Sequence, residues 1–154
     1  MNKIKKVLIS AYNKSNLSNL ITTLQKYNVE IISTGGTKSE LEKLGAQVTS
    51  VESITNYPSI LGGRVKTLHP NIFGGILNRR NSQSDQQDLN EFNIFHIDMV
   101  IVDLYPFQET INKSASDEEI IEKIDIGGVS LIRAAAKNYK DVLIVPSIQE
   151  FELV

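Results

Sequence analysis

Five short apolar runs, Val7 to Ile9, Glu30 to Ile32, Ala46 to Val51, Met99 to Val102 and Asp141 to Val145, are separated by segments whose apolar residues recur with helical spacing. Strands joined through helices pair in parallel, because the crossover must bring the chain back to the same end of the sheet. The alternation therefore predicts an α/β fold, a single doubly wound domain whose mostly parallel sheet is flanked by helices. Leu17, Leu20, Ile21, Leu24 and Tyr27 follow helical spacing after Ser15, a candidate N-cap. Lys38 to Leu44 reads as a short helix ending at Gly45, and Val129 to Asn138 as an alanine-rich one. Ser116-Asp117-Glu118-Glu119 has the spacing of a capping box ahead of Ile120, Ile121 and Ile124. The polar stretch Arg79 to Asn90 reads as a surface loop leading into a helix.

Composition narrows the chemistry. At 154 residues and 41% hydrophobic content, the chain has the size of one ordinary domain with a real core. A net charge of -2 does not recruit nucleic acid or an anionic membrane, so an anionic ligand must be held by local donors. The absence of cysteine removes disulfides, thiolate zinc sites and cysteine nucleophiles, and two histidines are few for a metal site. The run after Lys6 is too short for a signal-peptide core or a membrane span, which makes the cytoplasm the expected location. The apolar C-terminal stretch reads as a cut inside a longer chain or as a docked terminal helix.

In doubly wound sheets ligands bind beyond the carboxyl ends of the strands. The polar strand exits are therefore where a site is expected. Ser33-Thr34-Gly35-Gly36-Thr37 follows the second run and opens a helix. Such a turn gathers backbone N–H groups and a helix dipole at one point, with three hydroxyls beside them, and suits a phosphate. An ordinary strand-to-helix turn with Thr37 as N-cap is the competing reading. Ser10-Ala11-Tyr12-Asn13-Lys14 leaves the first run and should lie alongside, where Lys14 supplies a full charge. Gly62-Gly63-Arg64-Val65-Lys66-Thr67-Leu68-His69-Pro70 packs two cations, a hydroxyl and an imidazole into one glycine-led loop. If that segment is extended, Arg64 and Lys66 point the same way.

Asp103-Leu104-Tyr105-Pro106-Phe107 leaves the most apolar run and fits a site wall. Asp125 stands between Ile124 and Ile126, surroundings that tend to raise a carboxyl pKa. Gly127 and Gly128 would present N–H groups at a helix start, an oxyanion site. Arg133 and Lys137 share one helix face.

These segments, with Arg133-Ala134-Ala135-Ala136-Lys137-Asn138, occur in this order in IMP cyclohydrolase, and the chain resembles that family over nearly its whole length. The resemblance implies a methylglyoxal-synthase-like fold, a homodimer, and neither metal nor organic cofactor. It implies a purine ribonucleotide substrate and dehydrating ring closure of 5-formamidoimidazole-4-carboxamide ribonucleotide to IMP. Residues 1–154 would be one such domain, shortened at its C-terminal end, with the AICAR formyltransferase part of the bifunctional protein absent. On the matching positions it implies that Ser10, Lys14, Ser33, Thr34, Gly35, Gly36 and Thr37 hold the 5′-phosphate. Arg64, Thr67 and Asp103 line the base side. Asp125, coupled to Lys137, moves the carboxamide proton, while Lys66 and Tyr105 orient the formamide, helped by Gly127 and Gly128.

Four positions, in three segments, depart from the family pattern. Asp103 stands where asparagine is usual, Tyr12 and Asn13 where serine and aspartate are usual, and Val129 where proline is preferred. The same fold also serves nucleotide sensing without catalysis in carbamoyl-phosphate synthetase, and phosphate elimination in methylglyoxal synthase.

Overall fold

The structure, a computed structural model, describes residues 3–113 and 115–153. Strands β1 (Lys6–Ala11), β2 (Glu30–Ser33), β3 (Val48–Ser50), β4 (Met99–Asp103) and β5 (Leu143–Val145) form one sheet. Its order is β3-β2-β1-β4-β5, and every neighbouring pair is parallel. From β1 the chain winds outward through β2 to β3, then crosses back to lay β4 on the other side of β1. The reversal lies between β1 and β4. In an open α/β sheet the crevice above such a switch point is where ligands bind.

The described residues form eight α-helices: α1 (Leu17–Lys26), α2 (Gly35–Lys43), α3 (Val51–Thr55), α4 (Pro70–Leu77), α5 (Gln83–Glu91), α6 (Phe107–Asn112), α7 (Asp117–Glu122) and α8 (Gly127–Lys137). Alternate strand residues face opposite layers. Val7, Ile9, Ile31 and Ile101 pack with Leu17, Leu20, Ile21, Leu24 and Leu41 on one side. Leu8, Ile32, Val100 and Val102 pack with Ile72, Ile76, Leu131 and Ala135 on the other. Both faces of the central strands are thereby buried, which explains why they read as continuous apolar runs rather than alternating ones. No helix among the described residues is long and apolar enough to cross a membrane.

The boundaries differ from expectation where side chains choose unexpected partners. Helix α1 is preceded by Asn16 in the left-handed region at φ 65°, not capped by Ser15. Ser15 instead directs both its N–H and its hydroxyl to Asn13 Oδ1, at 2.9 and 2.8 Å. Helix α2 starts at Gly35, three residues before Lys38, so the glycines form its first turn. The third strand is only Val48–Ser50, because the Ser50 side chain accepts from Ser53 N–H and starts α3 at Val51. Helix α4 begins at Pro70, with His69 Nδ1 accepting the Asn71 N–H at 3.2 Å. The imidazole assigned to the basic loop is therefore a helix cap. The capping box at Ser116 and Glu119 is formed.

Candidate active site

The exits of β1, β2 and β4, the loop before α4 and the start of α8 surround one cavity of about 510 Å³, within the range of small-molecule sites. A shallower depression of about 620 Å³ lies between α6 and α7, but Glu118, Glu119 and Glu122 line it and it opens widely to solvent. The first is the better candidate for an anionic ligand. Its location is the one the strand order predicts.

At its β2 side, Thr34 is extended and Gly35 turns at φ +55°, which a residue with a Cβ adopts at a cost. The first N–H groups of a helix have no intrahelical acceptor, and that of Lys38, bonded to Thr34 O at 3.3 Å, begins the regular pattern. The N–H groups of Gly36 and Thr37 belong to this open turn. The hydroxyls beside it are engaged elsewhere. Ser33 is fully buried and donates to Ile9 O at 2.8 Å, and it does not line the cavity. Thr34 donates to the Glu52 carboxylate. Thr37 donates to Ala11 O at 2.9 Å and accepts the Ala11 N–H at 3.2 Å. These side chains fasten the turn to β1 and α3. The three hydroxyls expected as donors thus donate within the chain, although Thr34 and Thr37 line the cavity.

Two lysines flank that turn. Lys14 Nζ donates to Ala11 O, to Tyr12 O at 3.2 Å and to Thr37 Oγ1 at 3.3 Å. Burial pushes it below the usual lysine pKa, and Lys66 adds to the lowering, while Asp103 and Glu40 oppose it. Lys66 Nζ lies 3.5 Å from where a Cβ on Gly35 would stand and 4.0 Å from that position on Gly63. A Cβ at either place would make only ordinary contact with the ammonium, and it is the positive φ, +55° and +94°, that favours glycine there. Neither lysine forms an ion pair among the described residues. Two ammonium groups without an ion-pair partner among the described residues, set at an open helix N-terminus, make an arrangement suited to an anion, with Asp103 the nearby carboxylate.

The loop bearing Lys66 is not extended. Gly62 and Gly63 adopt φ +65° and +94°, Arg64 is in the right-handed helical region, and Ile60 bridges Val65. Arg64 and Lys66 therefore diverge: Arg64 pairs with Glu122 at the cavity mouth, while Lys66 turns inward to Gly35. Thr67 is buried at the cavity floor, its Oγ1 3.1 Å from where a Cβ on Gly127 would stand.

Ser10, at the end of β1, and Asp103, at the end of β4, both line the cavity. The Asp103 carboxylate accepts the Asn13 N–H at 2.8 Å and its carbonyl accepts the Tyr12 N–H at 3.0 Å, so it also pins the loop that carries Lys14. Tyr105 follows, half exposed, on the cavity wall.

Asp125 lines the cavity and accepts the Gly128 N–H at 2.6 Å, acting as an N-terminal cap for α8. That bond removes Gly128 from the expected pair of oxyanion donors. A Cβ on Gly128 would stand 2.7 Å from Asp125 Oδ2 and 2.8 Å from Leu104 Cδ2, so a side chain there would displace the Asp125 carboxylate and Leu104. Ile124 and Ile126 are 51% and 55% exposed and do not enclose Asp125 as the sequence suggested. Lys137 is exposed at the opposite end of α8, roughly 15 Å along the axis from Gly127 at 1.5 Å per residue. It does not line the cavity, and its expected coupling to Asp125 is not made within the chain.

Sequence reasoning missed Glu52, Glu122 and Lys123, which ordinary surface-helix patterning hides. Among the described residues no group of three His, Asp or Glu side chains is placed to hold a metal ion.

The family of MGS-like domains matches residues 16–130. The chain belongs to that family. This MGS-like domain is 57% identical to the bifunctional purine biosynthesis protein PurH of Bacteroides thetaiotaomicron over 150 residues, 97% of this chain and 30% of that protein. It is 50% identical to PurH of Petrotoga mobilis over 152 residues, covering 98% of this chain and 30% of the relative. The domain thus spans about 30% of the length of these relatives. The crystal structure of ForH matches with a TM-score of 0.76 at 30% identity, over 99% of this chain and 78% of that one.

Proposed function

We propose that this domain closes 5-formamidoimidazole-4-carboxamide ribonucleotide to IMP with loss of water. The observation that supports this reading is one cavity that joins the first turn of α2, between Lys14 and Lys66, to the carboxylate of Asp125. The PurH relatives supply the purine context. The 5′-phosphate lies against Gly36 and Thr37, and the imidazole ring extends toward Thr67, Tyr105 and Asp125.

Both reacting groups sit on one ring, so the site mainly selects the conformer in which they face each other. Orientation of that kind lowers a barrier by up to about 7–11 kcal/mol. The carboxamide nitrogen adds to the formyl carbon, forming the new C–N bond and moving the carbonyl pair onto oxygen. Asp125 takes one N–H proton, and Lys66 donates a proton to the oxyanion with Tyr105 hydrogen-bonded beside it. The resulting hydroxyl leaves as water with the proton of the former formamide nitrogen, and a ring C=N bond forms. General acid–base help of this kind contributes about 10²–10⁴-fold. Lys137 is outside this scheme unless a second copy of the chain brings it close. The homodimer belongs to the same reading, and exposed Ile121, Ile124, Ile126 and Val129 near the cavity supply apolar surface for it.

Incubation with the formamido ribonucleotide should produce IMP absorbance at a rate proportional to protein. IMP binding without turnover would replace catalysis with nucleotide sensing, and absence of both would reject the substrate class.

A further inference from the structure

Tyr12 and Tyr105, from the exits of β1 and β4, line the cavity, and Lys123, the residue that ends α7 and lines the neighbouring depression, reaches both rings. The two ring centroids are 5.2 Å apart with planes inclined at 59°. Lys123 Nζ lies 5.2 Å from each centroid. A cation at that distance is drawn to a ring face, and one ammonium shared by two rings couples their orientations.

The local sequence explains why the ammonium is there. A glutamate four residues earlier is the ordinary partner of a lysine at a helix end. Glu119 holds that position, but its carboxylate accepts the Ser116 N–H at 2.9 Å in the capping box. Glu122, the adjacent carboxylate, is paired with Arg64. Among the described residues Lys123 forms no ion pair, and the tyrosine rings are its partners. Its backbone is fixed as well, since its N–H bonds to the carbonyls that close α7. On the other side, Tyr105 precedes Pro106, which restricts its backbone, and its carbonyl accepts the Phe107 N–H at 2.8 Å. Side-chain rotation is the freedom left to Tyr105, and Tyr12 and Lys123 limit it.

We propose that Lys123 is a positioning residue of this site, acting through the Tyr12–Tyr105 pair to hold the Tyr105 phenol toward bound ligand. The kinetic half of this proposal rests on the ring-closure reading; the structural half is independent of it. With five tyrosines and no tryptophan, near-ultraviolet circular dichroism of the unliganded protein reports ordered tyrosine rings. Lys123→Met should weaken that signal at unchanged far-ultraviolet signal, and Lys123→Arg should keep it. An unaltered near-ultraviolet spectrum in Lys123→Met would overturn the proposal whether or not the protein closes the ring.

In the ring-closure assay Lys123→Met should lower kcat about two- to fivefold, the size of one exposed cation–π contact, with KM changed less than about twofold. Lys123→Arg should restore the rate. In a Tyr105→Phe background Lys123→Met should cost nothing further, since residues acting as one unit are non-additive. A full additional loss there, or an equal loss in Lys123→Arg, would contradict action through Tyr105. Wild-type protein without ring closure would sink the reaction and leave the dichroism comparison to judge the ring ordering.

Discussion

At the amino end of the sheet Arg80 pairs with Asp98 at 2.8 Å, with side chains only 14% and 11% exposed, whereas at the carboxyl end Lys14 and Lys66 share a cavity without an ion-pair partner among the described residues. Asp98 also accepts the N–H groups of Lys5 and Lys6 at 2.8 and 2.9 Å, and Asp141 accepts that of Arg80 at 3.1 Å. Nearby, His96 Nδ1 meets Asn78 Oδ1 at 2.7 Å. One network thus ties the starts of β1, β4 and β5 together. At the opposite end Arg64 pairs with Glu122 at the cavity mouth, whereas the Lys14 ammonium donates to backbone carbonyls and Thr37, and Lys66 lies against the Gly35 turn. Charge satisfied internally serves stability, and charge left without a partner is available to a ligand.

Removing a charge from each end breaks this comparison most directly. Asp98→Ala strands a buried guanidinium and two strand-start N–H groups, and it should destabilise the fold by about 3 kcal/mol. For a domain of this size that lowers Tm by roughly 6–12 °C, readable by calorimetry. Below the transition, ligand affinity should be unchanged. Lys66→Ala should do the reverse. It should reduce kcat/KM about 100-fold, in the range for a positioned proton donor, while Tm stays level or rises. Relief of repulsion with Lys14 is the reason. A fall in Tm as large as that of Asp98→Ala would mean that Lys66 is structural.

The smallest effect expected is on pH. Burial lowers the His96 pKa, with Arg80 and Lys5 adding to it and Asp98 and Asp141 opposing. The unfolded chain then binds the proton more readily than the folded one, so stability is full above the ordinary imidazole pKa of about 6.5 and falls as pH drops through and below it. Asn78 Nδ2 donates to Gly74 O and Gly75 O at 2.8 and 2.7 Å, which leaves its Oδ1 to accept from a protonated His96 Nδ1. Thermal melts at falling pH should show this slope, and His96→Gln should flatten it.

Much of the site was legible in the sequence because its backbone devices are local. The glycine turn after β2, the glycine-led loop through Lys66 and the capping pattern at Ser116 all follow from neighbouring residues. Periodicity likewise placed five strands, and strand exits pointed to the cavity. What escaped was set by register across the sheet. Ser33 lies opposite Ile9 in the β1–β2 ladder, so its hydroxyl turns to the Ile9 carbonyl instead of the ligand. The family resemblance implies that Asp125 and Lys137 are coupled, but α8 runs between them and sets them at its opposite ends. The role of Lys123 depends on where Glu119 and Glu122 find partners, which no single-helix pattern reveals.

Titrating the protein with IMP while following backbone amide NMR signals tests the division of labour between the two ends most directly. The largest shifts should fall on Gly36, Thr37 and Lys66, with Asp98 and Asp141 unmoved, and Lys66→Ala should abolish them at the same IMP concentration. Shifts centred on the amino end, or an undiminished response in Lys66→Ala, would contradict the account.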